Sequence, residues 1–209
     1  MNKLNERGGW AHGRLAMATL VALAAAGACL SARPVLAAEV AGVTMEDVAT
    51  LSGQPLVLNG LGLRSKMFIK VYVVGLYLPH KETRAPDVLG MPGAKRVQLV
   101  MMRDVGAELL ADNLSKGLAD GTAKAELAQL QPRVETLKAV MRSVGEAHKG
   151  SRIQLDYLPG VGTRVSVDGK VMGSDIPGED FYRALLRIWI GDEVGSKPLK
   201  AELLGLPRT

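Results

Sequence analysis

The stretch from Asn59 to Leu78, NGLGLRSKMFIKVYVVGLYL, constrains the fold more than any other part of the chain. From Met67 onward the side chains alternate. Met67, Ile69, Val71, Val73 and Tyr77 fall on one face, and Lys66, Phe68, Lys70, Tyr72, Val74 and Leu76 on the other. The first face is apolar almost throughout. The second mixes Lys and Tyr with apolar residues, as expected of a sheet face that is partly wet or lines a cavity. β-Branched and aromatic residues dominate, which predicts a strand from Met67 to Leu78, stopped by Pro79. Ahead of it, Leu56 to Leu63 is apolar but punctuated by Gly60 and Gly62, the pattern of a strand with a bulge or a tight bend.

The rest of the chain arranges itself around this strand. Ala38 to Leu51 reads as a short edge strand. Lys81 to Gly93 reads as a loop with one helical turn at Asp87 to Leu89, and Lys95 to Met102 as another strand. Asp104 to Ala119 places Val105, Leu109, Leu110, Leu114 and Leu118 at helical spacing, with Asp104 as N-cap and Gly121 beyond the end. Pro132 is suited to open a second helix, with Val134, Leu137, Val140, Met141 and Val144 on one face. Strands return at Arg152 to Leu158, Thr163 to Val167 and Lys170 to Ser174. The Asp168-Gly169 pair between the last two is a strong hairpin signal. Glu179 to Ile190 is amphipathic, burying Phe181, Leu185, Ile188 and Trp189, and a short helix from Leu199 to Leu204 closes the chain. This order predicts an α+β domain, an antiparallel sheet with helices on one face.

The N-terminus stands apart. Lys3, Arg7 and Arg14 precede an apolar run from Leu15 to Leu30, and small residues surround Ala37: a basic region, an apolar region and a cleavage site, as in a secretory signal peptide. The expected division is a leader at 1–37 and a domain at 38–209, with the periplasm as the compartment. An uncleaved anchor fits less well, because the run is short and alanine-rich for a bilayer roughly 30 Å thick. Lipidation at Cys29 lacks the leucine that usually opens such a motif. The formal charge is +5, of which Lys3, Arg7, Arg14 and Arg33 against Glu6 supply +3, leaving +2 for the domain. That removes the charge argument for a nucleic-acid partner. Cys29 is the only cysteine, so the domain has neither disulfide nor thiolate chemistry.

Searches for catalytic patterns return little. His80 and His148 lack metal-ligand spacing with another His or Cys, so no metal is expected, and no cofactor motif appears. Gly60-x-Gly62 is not followed by the third glycine and helix of a dinucleotide site. Asp156, Asp168 and Asp175 sit in or beside turns, where Asp is common for local reasons. Phe181 and Trp189 read as core rather than as ligand-stacking surfaces. Arg64 is different, because it lies between a glycine-broken apolar run and a buried-looking strand. Its ordinary role would be an ion pair with a structural carboxylate, or exposure at a turn. The sharper role is an anchor for an anionic headgroup in an apolar cavity, with Tyr72 donating a second hydrogen bond. On an extended strand eight residues span roughly 26 Å, so the two meet only if the chain turns near Ser65-Lys66.

Four blocks, taken together, resemble the bacterial exported branch of the chalcone isomerase-like proteins. These are Gly62-Leu63-Arg64, the strand Phe68 to Leu78, the block Phe181-Tyr182-x-Ala184-Leu185-Leu186-x-Ile188-Trp189-Ile190-Gly191, and Ser196-Lys197-Pro198-Leu199-Lys200. The resemblance runs from about Leu56 to Leu204 and implies an open-faced β-sandwich, a large antiparallel sheet with a helical layer on one face. The family holds enzymes that close a chalcone to a flavanone, and fatty-acid binders that hold a carboxylate with an Arg and a Tyr. Arg64 matches the arginine of both kinds. Tyr72 stands where the enzymes have Thr and the binders Tyr. The enzymes also use a Tyr and an Asn from the helix that here is Asp104 to Ala119; Asn113 is present, and the Tyr is missing.

The expectation is therefore an exported, non-catalytic protein whose cavity between sheet and helices takes a small amphipathic anion such as a fatty acid, with Arg64 and Tyr72 as its ligands. No stable membrane span is expected in the domain, and the sequence names no protein partner. One alternative is an isomerase, in which Arg64 would stabilise a developing enolate. Another is an interaction module with a filled core.

Overall fold

The computed structural model describes residues 37–207. The expected leader and Cys29 lie outside the described residues, apart from Ala37, which opens the first strand. Seven strands form one antiparallel sheet. In chain order they are β3 (Val48–Leu51), β4 (Gln54–Lys66), β5 (Ile69–Leu78), β6 (Lys95–Met101), β9 (Arg152–Leu158), β10 (Gly162–Val167) and β11 (Lys170–Ile176). Their spatial order is β11-β10-β9-β6-β5-β4-β3. Two ribbons flank it, β1 (Ala37–Val40) with β2 (Val43–Glu46), and β7 (Val105–Gly106) with β8 (Glu146–Ala147). The single edge strand predicted for Ala38–Leu51 is thus three short strands, because Ala41-Gly42 turns the chain in the left-handed region and Asp47 separates the next two.

The β4–β5 hairpin organises the sheet, as the alternation predicts, but its turn falls elsewhere. Met67 and Phe68 are not strand residues. Both have positive φ, 48° and 67°, and form the two-residue turn. Strand β5 therefore begins at Ile69. From Val73 the two faces separate as the pattern requires, Val73 and Tyr77 pointing one way and Val74, Leu76 and Leu78 the other. Val71, expected with Val73, packs instead with Tyr72 on the helix side, because the register shifts beside it.

Helices cover the second of these faces: α1 (Ala85–Gly90), α2 (Ala107–Asp120), α3 (Lys124–Arg142), α4 (Glu179–Ile190) and α5 (Lys197–Leu203). The main core joins Val74, Leu76, Leu99 and Met101 of the sheet to Leu114, Leu118, Leu137, Phe181, Leu185 and Trp189 of the helices. On the opposite face the β1–β2 ribbon closes a smaller cluster of Met45, Leu56, Leu58, Val73 and Tyr77, and the Tyr77 hydroxyl donates to the Glu46 carbonyl at 3.0 Å. Beyond that cluster the face carries the polar side chains of Arg96, Gln98, Gln154, Asp156 and Ser166, of which Gln98, Asp156 and Ser166 are buried. Every described strand and helix and both clusters belong to this one segment, so it carries its own core.

Two helix boundaries differ from the sequence pattern. Asp104 does not cap α2: Val105-Gly106 first pairs with β8, and the Asp104 carboxylate accepts instead from the Lys149 backbone N–H at 2.7 Å. Pro132 does not open α3 but lies inside it. The turns before it bury Leu130 and half-bury Leu127 against the core, and that packing outweighs the one hydrogen bond that proline removes. No described helix is long and apolar enough to cross a membrane.

Candidate functional site

Arg64 and Tyr72 are cross-strand partners in the β4–β5 hairpin. The turn at Met67-Phe68, two residues beyond the point where the pattern requires one, folds what would be an extended separation into a direct pairing. A register irregularity follows at once, where Ser65 pairs with Lys70 and Val71 is left over on β5. A bulge of this kind re-aims neighbouring side chains. Both residues look toward the helices and both are half-buried.

The lead-in glycines have a tertiary reason. β4 passes through Gly60 and Gly62 with a register irregularity between Leu58 and Gly60, as the sequence suggests. Their bare α-carbons serve to admit α5. A Cβ at Gly60 would collide with the backbone carbonyl of Glu202, and one at Gly62 with the side chains of Glu202 and Leu199. Buried Asn59 clamps the helix there by donating to the Leu203 carbonyl at 2.8 Å. The segment linking α4 to α5 is pinned by Lys200, whose ammonium donates to the Gly191 carbonyl at 2.7 Å, and by Ser196, which caps α5. It lays Gly195 against Arg64: a Cβ there would stand 2.8 Å from Nη2 of the guanidinium.

Between this segment, the hairpin and α2 lies a cavity of about 750 Å³, within the usual size of a small-molecule site. Val71, Leu110, Leu114, Ile188 and Leu199 make much of its wall, and Arg64, Tyr72 and Trp189 stand together in it. The Trp189 indole N–H donates to the Tyr72 hydroxyl oxygen at 3.1 Å. That occupies one acceptor position and leaves the Tyr72 hydrogen free to donate. Burial raises the Tyr72 pKa, opposed in part by the Trp189 hydrogen bond and the Arg64 charge, so the hydroxyl keeps its proton at neutral pH. Among the described residues no carboxylate pairs with Arg64. The arrangement thus presents a cation and an O–H donor side by side to an apolar space, which suits one anionic headgroup with an apolar body.

The sequence-predicted pair is therefore brought together, and Asn113 also lines the cavity, although its side-chain N–H is donated to the Leu109 carbonyl. Phe181 is wholly core. Trp189 is core and cavity wall at once, a double role its helical spacing does not reveal. Gly195 and Ser196 are site-forming through α5, and only Ser196 has a local signal, as the cap before Lys197-Pro198. Among the described residues no group of three or more His, Cys, Asp or Glu is placed to hold a metal.

Comparison with known proteins agrees with this architecture. The family model described as chalcone isomerase-like matches residues 37–205. Among solved structures, the crystal structure of an Arabidopsis thaliana fatty-acid binding protein is similar, with a TM-score of 0.63 and 16% identity over 81% of this chain and 96% of that one. No curated protein matches the sequence.

Proposed function

The chain belongs to the chalcone isomerase-like family, and from that premise we propose that it is a non-catalytic binding protein for a fatty acid or a similar amphipathic anion. One observation carries the reading: Arg64 and Tyr72 lie opposite each other on the wall of an apolar cavity, and among the described residues neither the guanidinium charge nor the Tyr72 hydrogen has a partner. The carboxylate accepts from both, and the acyl chain lies along Val71, Leu110, Leu114 and Ile188. The similar fold of a plant fatty-acid binding protein supports this reading. The open cavity favours it over a filled interaction module. The absence of a tyrosine from α2 favours it over an isomerase, whose test is a chalcone cyclisation assay against the spontaneous rate.

The basic start, the apolar run and the small residues around Ala37 support export to the periplasm by a cleaved leader; N-terminal sequencing of the exported protein tests this. For the ligand, lipid extraction and mass spectrometry of purified protein should find a bound amphipathic anion. Arg64→Ala should then weaken fatty-acid affinity by about tenfold to a hundredfold, the worth of a charge-assisted hydrogen bond. No bound anion together with unchanged affinity in Arg64→Ala would sink the proposal.

A further inference from the structure

The tip of the β4–β5 hairpin departs from two ordinary rules. A two-residue turn with both central residues left-handed favours Asn-Gly, yet here it holds Met67 and Phe68 at φ 48° and 67°. Bulky side chains are strained in that region. Both side chains also stand in solvent, Phe68 fully and Met67 at 83% exposure. Ile69 and Leu109 are exposed beside them, and with Met67 they line the mouth of the cavity. Strained, apolar residues are held where the fold itself gains nothing from them.

Their surroundings select the partner. The segment Leu63 to Tyr72 contains Arg64, Lys66 and Lys70 and no carboxylate. Lys66 and Arg103 line the same mouth. Of the acids there, Asp120 is paired with Lys116 at 2.8 Å and Asp104 accepts from the Lys149 backbone, which leaves Glu193 against the four cations Arg64, Lys66, Lys70 and Arg103. A surface that accepts an apolar, aromatic tip flanked by cations is the interface of an anionic bilayer, where headgroup phosphates meet acyl chains. A second copy of the chain is a poor match, because its own tip repeats the same charge.

We propose that the hairpin tip docks on an anionic lipid bilayer, with Met67 and Phe68 entering the headgroup boundary and Lys66 and Lys70 against the phosphates. The cavity mouth then opens at the bilayer surface. This inference rests on the exposed tip and not on which ligand the cavity takes.

The test is flotation of the chain from Ala38 onward, which holds the described core, with vesicles of phosphatidylcholine alone or mixed with phosphatidylglycerol and no fatty acid present. Binding to the mixed vesicles, weakened by salt, is expected, with little binding to the neutral ones. The double substitution Met67→Asn/Phe68→Gly supplies the residues the turn prefers. It should leave the thermal midpoint equal or higher and lower partitioning to mixed vesicles by about tenfold or more. Lys66→Glu/Lys70→Glu should cost a further loss of about tenfold on mixed vesicles. Equal flotation of parent and Met67→Asn/Phe68→Gly, or equal binding to neutral and mixed vesicles, overturns the proposal. A dimer abolished by the same double substitution, with no vesicle binding, overturns it as well.

Discussion

Arg64 and Arg96 sit on β4 and β6, the two strands that flank β5, and they have opposite fates. Arg96 faces away from the helices, where its guanidinium makes a bidentate pair with Asp156 at 2.6 and 2.8 Å. The Asp156 hydrogen bonds raise its pKa further, against the opposing effect of burial. Around it Gln98, Gln154 and Ser166 hydrogen-bond to one another. Arg133, Arg142, Arg164 and Arg187 follow the same rule, each meeting a carboxylate, of Asp180, Glu108, Asp175 and Glu126 respectively. Arg64 faces the helices and meets a cavity. The contrast separates arginines that complete the fold from one that meets no carboxylate among the described residues.

The largest effect should come from orphaning the structural arginine. Asp156→Ala leaves the Arg96 charge without its partner in a nearly dry setting, and urea unfolding should show a loss of about 3 kcal/mol or more. Arg64→Ala removes a charge that no carboxylate among the described residues pairs, so the same experiment should show a change within about 0.5 kcal/mol. Similar losses in the two variants would mean that Arg64 is as much a part of the fold as Arg96.

Next in size is the close approach that shapes the cavity. Gly60→Ala forces a methyl group into the α5 backbone, and thermal or urea unfolding should register a cost of about 1–3 kcal/mol. Ligand affinity should fall with it, since α5 carries the segment that lays Gly195 on Arg64. Tyr72→Phe is expected to be smaller. It removes one donor to the ligand and the acceptor of the Trp189 N–H, and calorimetric titration should show fatty-acid affinity reduced by about 1 kcal/mol.

The smallest effect is acid-dependent. Asp175 and Asp180 are held below their ordinary 3.8, chiefly by hydrogen bonds from Arg164 and Arg133. A carboxyl with a depressed folded-state pKa stabilises fully above the unfolded value, and that contribution is lost as pH falls through the folded one. Stability should therefore hold down to about pH 5 and decline below 3.8. Because both pairs are partly solvent-exposed, Asp175→Asn should blunt that decline only slightly, as acid titration of the unfolding midpoint can check.

Much of this molecule is legible residue by residue. The alternation from Val73 to Leu78, the Asp168-Gly169 turn and the amphipathic block Glu179–Ile190 all form as their patterns require, because each signal is local. The misplaced boundaries have non-local causes. Asp104 is drawn off its cap by pairing with Glu146-Ala147, and Pro132 is carried inside a helix by the burial of Leu130. The Met67-Phe68 turn hides because neither residue has the chemistry of a left-handed turn.

The sequence by itself determined the class of the fold, the two faces of the central strand from Val73 on, and the suspicion attached to Arg64 and Tyr72. These follow from side-chain periodicity and from the cost of burying a guanidinium. Only the tertiary structure decided that the two residues meet, because their distance depends on a turn that composition does not announce. It alone decided that Gly60 and Gly62 exist to admit α5, that Trp189 orients Tyr72 from a distant helix, and that no carboxylate among the described residues reaches Arg64. Those facts depend on which segments pack together across the chain, and local pattern carries no information about that.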